Sequence, residues 1–334
     1  MTLNISERLI NPNTRILIYD LQTDLGFGKG MSLFVDGLEI LKYNLIGDAY
    51  EEWCPLNKTF LFPFGITYEE KVNLAFSNML LHHRNVLDIC GITSKVDAEE
   101  LKDSLYWVKD QFTKLDTKVF ISVGGKQERW GNYLGINKHH VEVNGETLLQ
   151  RMVRLFRSFG ITDISLVGWD ESYKLPGAKF LSPEVDKSKG DANKYLSSQD
   201  YWNKDGRTII VFGDVYFSDL AVYKMAFDQN RDWTLFGRAT NSTIGKTHPE
   251  LFAISFYPHE IDLIKKCADR CVDLFDKQIA NGISLWHLYR ALVGLPDELM
   301  NKELFGEHIV DIDDLTDDFD LKEDFHRFFS RKDL

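Results

Sequence analysis

The sequence predicts an α/β fold: a doubly wound, mostly parallel sheet preceded by a smaller α/β N-terminal unit. Three observations predict it. From about residue 116 onward, short β-rich apolar runs alternate with amphipathic helical stretches, the pattern of a parallel sheet with crossover helices. The first of those runs ends in Gly124-Gly125 and the third in Gly213-Asp214, and small or acidic residues at strand tips are where such sheets gather their ligands. The length of 334 residues, with 44% hydrophobic and 27% charged residues, suits about two globular domains. The domain reading is therefore an accessory unit over 1–115, of unassigned role, and a larger α/β unit over 116–334.

In the first unit, Arg15-Ile16-Leu17-Ile18-Tyr19 reads as a strand. A loop with Gly26, Gly28 and Gly30 follows, then a helical pattern from Ser32 to about Lys42. The GxGxG spacing is not the dinucleotide fingerprint, and no acidic ribose ligand follows it. Two amphipathic helices are expected from about Tyr68 to His83 and from Asp97 to Phe112. In the second, Asp97 is a cap and Leu101, Leu105, Val108 and Phe112 share a face. In the second unit, strands are expected at Lys118–Val123, Ile164–Val167 and Thr208–Phe212. A helix over Glu146–Phe159 buries Leu148, Leu149, Met152, Val153, Leu155 and Phe156.

Composition excludes several function classes. No run of about 18 apolar residues occurs, and the first residues lack the layout of a secretory signal, so neither a membrane span nor export by that route is expected. The 4 cysteines include no Cys-x-x-Cys pair, and Cys267 and Cys271 read as buried small residues of a helix, which fits a reducing, cytoplasmic setting. A formal charge of −12 opposes binding to nucleic acid or acidic lipid. No Ser/His/Asp arrangement with a nucleophile elbow is present. His139 and His140, being adjacent, are expected to point apart on an extended segment, and His287 to pack within a helix.

Three groups of residues carry chemistry. Gly124-Gly125-Lys126-Gln127-Glu128-Arg129 follows a strand directly, and Lys138 lies nine residues beyond Arg129. Glycines there admit a close approach to backbone amides, and the two cations can neutralise a phosphate chain. The Walker spacing is absent, so this is not a P-loop. Asp214, at the tip of an apolar strand, is a hard oxygen ligand for a divalent ion, the competing reading being a helix cap, a task for which Ser218 or Asp219 is better placed. The run from Asp311 to Asp324 supplies eight carboxylates against one lysine. Among them Asp317, Asp318 and Asp320 include a candidate to complete a magnesium site with Asp214, against the alternative of a solvated charge run.

Taken together and in this order, these segments resemble the nucleotidyltransferase superfamily with the GT-A type fold, the group of sugar-1-phosphate nucleotidyltransferases and molybdenum-cofactor guanylyltransferase-like proteins. The resemblance covers about residues 118–325. VFISVGGKQERWG is similar to the family's strand and GGxxxR loop, and NKHHVEVNGETLLQRMVRLFRSFGITDISLVG to its lysine, short hairpin, helix and second strand. IIVFGDVYFSD is similar to the metal-aspartate strand, LFGRATNSTIGKTHPELFAISF to the acceptor-side loop and strand, and DDFDLKEDF to the terminal acidic motif. The chain departs from the pattern at Gln127 and Glu128 before the arginine, at Asn137 before the lysine, and at Leu321-Lys322 in the terminal motif.

The resemblance implies a role for each matching residue. Gly124 and Gly125 would lie against the nucleotide, Arg129 would hold the β and γ phosphates, and Lys138 would offset charge at the α phosphate. Asp214 would hold Mg²⁺ or Mn²⁺, with Asp320 as the second ligand and Asp318 its rival. The implied activity is transfer of a nucleoside monophosphate from an NTP to a sugar phosphate or similar acceptor, with release of pyrophosphate. On the acceptor side, Lys246 and Glu250 are the candidates, within a polar stretch that also holds Arg238, Asn241, Ser242 and His248. Two other readings stay open: a GT-A glycosyltransferase using a nucleotide-sugar donor, and a noncatalytic nucleotide-binding protein of the same fold.

Overall fold

The computed structural model describes residues 5–23, 26–46, 49–53, 58–61, 68–81, 87, 93–112, 116–124, 129–184, 186–228, 230, 232–238, 249–302 and 306–330. The chain divides into two compact units, Met1–Lys114 with Arg157–Gly160, and Leu115–Phe156 with Ile161–Leu334.

The first unit is built on an antiparallel meander of six strands in sequential order: β1 (Ile5–Asn11), β2 (Thr14–Thr23), β3 (Gly26–Val35), β4 (Leu38–Ile46), β5 (Ala49–Trp53) and β6 (Lys58–Leu61). Two helices follow, α1 (Tyr68–Leu81) and α2 (Lys95–Phe112). Alternate residues of the central strands, Ile16 and Ile18, Met31 and Leu33, and Leu41, Tyr43 and Leu45, form one core with Val72, Phe76 and Met79 of α1 and Leu101, Leu105 and Val108 of α2. The helix expected from Ser32 to Lys42 is not there. Asp36 and Gly37 take positive φ of 49° and 81° and turn β3 back on β4 as a hairpin. Gly26, Gly28 and Gly30 are strand residues rather than a loop. Gly30 lies under a ring: a methyl group on it would come within 2.4 Å of Tyr19.

The second unit holds a seven-stranded sheet in the order β11-β10-β7-β12-β15-β14-β16. Its strands are β7 (Thr117–Ser122), β10 (Asp163–Val167), β11 (Lys179–Leu181), β12 (Arg207–Phe212), β14 (Thr234–Arg238), β15 (Glu250–Phe256) and β16 (Ile309–Asp311). Only β15 runs against the rest, pairing antiparallel with β12 and β14. Two small ladders complete the strands: β8 (Glu142–Val143) with β9 (Glu146–Thr147), and β13 (Val215–Tyr216) with β17 (Asp317–Asp318). The helices are α3 (Leu148–Ser158), α4 (Asn193–Leu196), α5 (Asp219–Phe227), α6 (Ile261–Asp276), α7 (Leu285–Leu292) and α8 (Lys322–Phe329). The mixed, mostly parallel α/β architecture is the one the sequence predicts.

Both faces of this sheet are buried. Phe120, Ile210, Ile254 and Phe256 form one core with Cys267, Ala268 and Cys271 of α6 and Leu288 and Tyr289 of α7. Residues of the opposite parity, Val119, Ile121, Ile209 and Val211, are also wholly buried, so the strands read as continuous apolar runs rather than as alternation. The expected apolar stripe of α3 is buried at all six positions, although Glu146 and Thr147 belong to β9 and the helix begins at Leu148. Among the described residues, no helix is long and apolar enough to cross a membrane.

Candidate active site

Chain order reverses between β7 and β12. From β7 the chain moves through β10 to β11 on one side, and β12 and its partners lie on the other. At such a switch point the loops leaving the two strands part company and open a crevice at their carboxyl ends. Ser122 and Phe212 are paired at the last position of these strands, and the amide of Gly213 donates to the carbonyl of Ser122 at 2.8 Å. A methyl group on Gly213 would lie 2.8 Å from that carbonyl oxygen and 3.0 Å from the His139 ring, so only glycine lets the three segments meet. Asp214 is the next residue, just beyond the carboxyl end of β12.

Lys138 reaches the same point from a single 3-10 turn, Lys138–His140. Asn137 caps that turn: its side chain accepts from the His139 amide, its Oδ1 also takes the His139 Nδ1 hydrogen at 2.8 Å, and its amide donates to the Tyr173 hydroxyl. The Tyr173 ring touches both histidines, at 5.1 Å from His139 and 5.3 Å from His140. The adjacent histidines therefore do not point to opposite faces as expected for an extended segment, because the turn curls them around one ring.

The third contribution comes from the far end of the chain. β17 pairs with β13, directly after Asp214, and the amide of Phe319 donates to the Asp214 carbonyl at 3.0 Å. Asp320 is thereby brought beside Asp214. Lys138 Nζ lies 2.5 Å from Asp214 Oδ2 and 2.7 Å from Asp320 Oδ1, and Arg129 donates to the other oxygen of Asp320. Arg129 belongs to a tight segment in which Gly131, Asn132, Leu134 and Gly135 all take left-handed φ. Aromatic contacts from α8 hold that segment: the Tyr133 hydroxyl is 3.0 Å from His326 Nε2, and the Phe325 ring is 5.8 Å from Tyr133 and 6.4 Å from Trp130.

The electrostatics follow from burial and pairing. Burial pulls the Lys138 ammonium down, but the carboxylates of Asp214 and Asp320 outweigh it and hold the amine charged well above its ordinary range. Burial likewise pushes Asp214 up, and the Lys138 charge overcomes it, leaving the carboxyl below its usual value. His139 is pulled by burial from 6.5 to about 4, with Lys138 adding to the shift and Asp214 opposing it. A folded chain that resists a proton the unfolded chain accepts loses stability as pH falls from 6.5 towards about 4, and no further below that. The shift corresponds to roughly 3 kcal/mol. Thermal melts from pH 7 to 4.5 should show a steeper fall in Tm for the wild type than for His139→Gln; parallel curves would remove His139 as the cause.

The remaining predicted residues fall as follows. Gly124 is next to β7, and a methyl group on it would meet the Trp169 ring at 2.3 Å, so its small size is demanded by that ring. Trp169, half-exposed just beyond β10, is fixed by donating Nε1–H to the Pro183 carbonyl at 2.8 Å. Asp318 clusters with Glu250 and Asp317, the three offering ligand atoms within 4.8 Å of one another. Glu250 accepts from Arg238, which is wholly buried and also reaches Asp317 at 3.2 Å, so Arg238 belongs to the framework rather than to a substrate-facing loop. Gly125, Gln127, Glu128, Lys246, Asn241, Ser242 and His248 lie outside the described residues. Ser218, accepting from the Ala221 amide at 2.9 Å, caps α5, which removes the capping role from Asp214. Cys267 and Cys271 are buried free thiols, and His287 is held by Ser284 and Asn281 within its own helix end.

Tyr173 and Trp169 were not singled out in the sequence, and Asn137 was noted only as a departure from the family pattern, not as a residue that holds the site. Asn137 had a readable signal, an asparagine opening a short helical turn, and Trp169 another, an aromatic residue directly after a strand tip. Tyr173, remote in sequence from Lys138, had none. As to a metal, Asp214 and Asp320 are two hard oxygen donors facing one point, the donor chemistry Mg²⁺ requires.

No family model matches the chain, and no curated protein does. Among solved structures, the chain is similar to a protein described as a glucose-1-phosphate thymidylyltransferase from Bacillus anthracis, in complex with a sucrose. Identity is 18%, 64% of this chain and 94% of that one are covered, and the TM-score is 0.43. It is similar also to the inositol-1-phosphate CTP transferase from T. maritima, at 12% identity over 45% of this chain and 74% of that one, with a TM-score of 0.34. HddC from Yersinia pseudotuberculosis, complexed with GMP-PN, is matched at 16% identity over 44% of this chain and 78% of that one, with a TM-score of 0.32.

Proposed function

We propose that this protein is a Mg²⁺-dependent nucleotidyltransferase that moves a nucleoside monophosphate from an NTP to a sugar phosphate or similar acceptor and releases pyrophosphate. The observation that carries the reading is the meeting of Arg129, Lys138, Asp214 and Asp320 at the carboxyl ends of β7 and β12, from segments up to 191 residues apart. Two cations and two carboxylates at one point suit a polyphosphate better than a neutral metabolite.

In the proposed reaction an oxygen of the acceptor attacks the α phosphorus in line. A new P–O bond forms, the bond to the β-phosphate bridging oxygen breaks, and pyrophosphate leaves with the electron pair. Arg129 grips the outer phosphates and Lys138 offsets charge that develops at the reacting group, so orientation and charge neutralisation supply the acceleration without a covalent intermediate. A Mg²⁺ ion held by Asp214 and Asp320 would supply charge neutralisation and orient the phosphate oxygens. We assign this chemistry to residues 116–334, which contain all of these groups, and an accessory role to residues 1–115. On the acceptor side, Glu250 and Lys246 remain the residues proposed, together with the segment that joins β14 to β15.

Glycosyltransferases of this fold often carry a second carboxylate close to the metal aspartate in a D-x-D arrangement. Val215 and Tyr216 are instead buried in β13, at 1% and 8% exposure. A pair of assays separates the readings: purified protein with Mg²⁺, each of the four common NTPs and a mixture of sugar 1-phosphates, and in parallel the same protein with nucleotide sugars as donors. Pyrophosphate is expected from one NTP in an acceptor-dependent manner. Release of a nucleoside diphosphate from a nucleotide sugar would favour glycosyl transfer, and nucleotide binding without turnover would favour the noncatalytic reading.

A further inference from the structure

We infer that Asp320 is a specificity determinant that rejects a free polyphosphate and admits its divalent-metal complex. The inference rests on the assignment of Arg129 and Lys138 to the substrate phosphates. One carboxylate spans both cations: Arg129 donates to Oδ2, and Lys138 lies 2.7 Å from Oδ1. That is the pattern in which two oxygens of a single phosphate would be taken, so Asp320 and the substrate compete for the same donors. Asp214 does not compete in this way, since among the described residues its ion pair is with Lys138 and does not extend to Arg129.

The competition is strongest at Lys138, whose pair with Asp320 is partly sheltered from water. The side chains of Lys138 and Asp320 are only 11% and 20% exposed, where charge interactions are screened much less than on an open surface, whereas Arg129, at 68%, is open to solvent. The four groups sum to no net charge. A bare polyphosphate approaching them must strip both cations from Asp320 and then lie against two unpaired carboxylates. A polyphosphate that carries a divalent cation supplies a positive charge to those carboxylates in the same step that it takes the arginine and the lysine. Exchange of partners is then balanced, and nothing is left buried and unpaired.

The test is calorimetric titration of the full chain with inorganic tripolyphosphate, in EDTA and in excess Mg²⁺, for the wild type and for Asp320→Asn. The wild type is expected to bind the Mg²⁺ complex at least about tenfold more tightly than the free anion. Asp320→Asn should bind the free anion about tenfold more tightly than the wild type does, which narrows or abolishes the preference. A merely structural role for Asp320 predicts the opposite sign, because a disordered Arg129 segment binds any anion more weakly. Free-anion affinity unchanged or reduced in Asp320→Asn overturns the inference, and so does equal affinity of the wild type for the two forms, a measurement that needs no variant. If these affinities behave as expected while no NTP yields pyrophosphate, the transferase reading fails and the inference stands. If pyrophosphate is released but the affinities do not shift, the inference alone fails. Absence of binding in both media removes both.

Discussion

Replacing Asp214 by asparagine is expected to lower NTP-dependent pyrophosphate release by on the order of 10²–10³-fold or more while leaving the fold in place. The two halves of that expectation have separate causes. Activity falls, on the proposed mechanism, because the Asp214 carboxylate at the tip of β12 is a hard oxygen donor beside Asp320 at the carboxyl end of a central strand. The fold survives because the structural work at this position is done by the backbone: the Asp214 carbonyl accepts from Phe319, Gly213 donates to Ser122, and Ser218 starts the following helix. Lys138 also keeps a partner in Asp320, at 2.7 Å, so no buried charge is left alone. Thermal melting should therefore shift by only a few degrees. An Asp214→Asn protein with wild-type turnover would end the proposed mechanism, and one that fails to fold would show that the pairing with Lys138 is structural first.

Much of this site could be read from the sequence, and the reason is local. A parallel strand buried on both faces leaves a continuous apolar run, and such a run ending in Gly-Gly or Gly-Asp announces its own carboxyl tip, so Gly124 and Asp214 were placed without knowledge of the pairing. Lys138, Arg129 and Asp320 could be listed by chemistry and by resemblance, but their meeting depends on the β13 to β17 ladder, two residues on each side and invisible to any pattern. The N-terminal unit was less legible. The segment from Ser32 to Lys42 reads as a helix because a register shift between Leu33 and Phe34 breaks the alternation that marks a strand. Asp36-Gly37 between apolar runs was the better signal, being the dipeptide that a two-residue hairpin prefers. Arg238 misled in another way. An arginine ahead of a polar loop looks like a substrate ligand, and only burial reveals it as part of the frame.

That burial leads to the second large effect. Arg238→Met is expected to cost roughly 3–5 kcal/mol of stability, a fall in Tm on the order of 10 °C. The Arg238 side chain is 0% exposed and that of Asp317 only 2%, so removing the guanidinium takes a cation away from a carboxylate that water cannot reach. Two further bonds go with it, to the Thr316 carbonyl at 2.8 Å and to Glu250, as does the contact over the Phe252 ring. Arg327, 3.4 Å from Asp317, and the Asp318 amide, donating to it at 3.1 Å, stay in place, so the cost is that of halving the cationic support of a buried carboxylate. The sign test is the double variant Arg238→Met with Asp317→Asn: with the under-compensated buried carboxylate neutralised, it should melt above the single variant despite carrying one more substitution. The effect should also travel, because Asp317 opens β17, and β17 pairs with β13 and delivers Asp320 to the crevice three residues later. Tripolyphosphate affinity in Mg²⁺ is therefore expected to weaken in the single variant and recover in part in the double. A substrate-gripping arginine would behave otherwise, raising the acceptor KM while leaving Tm unchanged, so one melt and one titration distinguish a residue that holds the acceptor from one that holds the strand on which the placement of Asp320 depends.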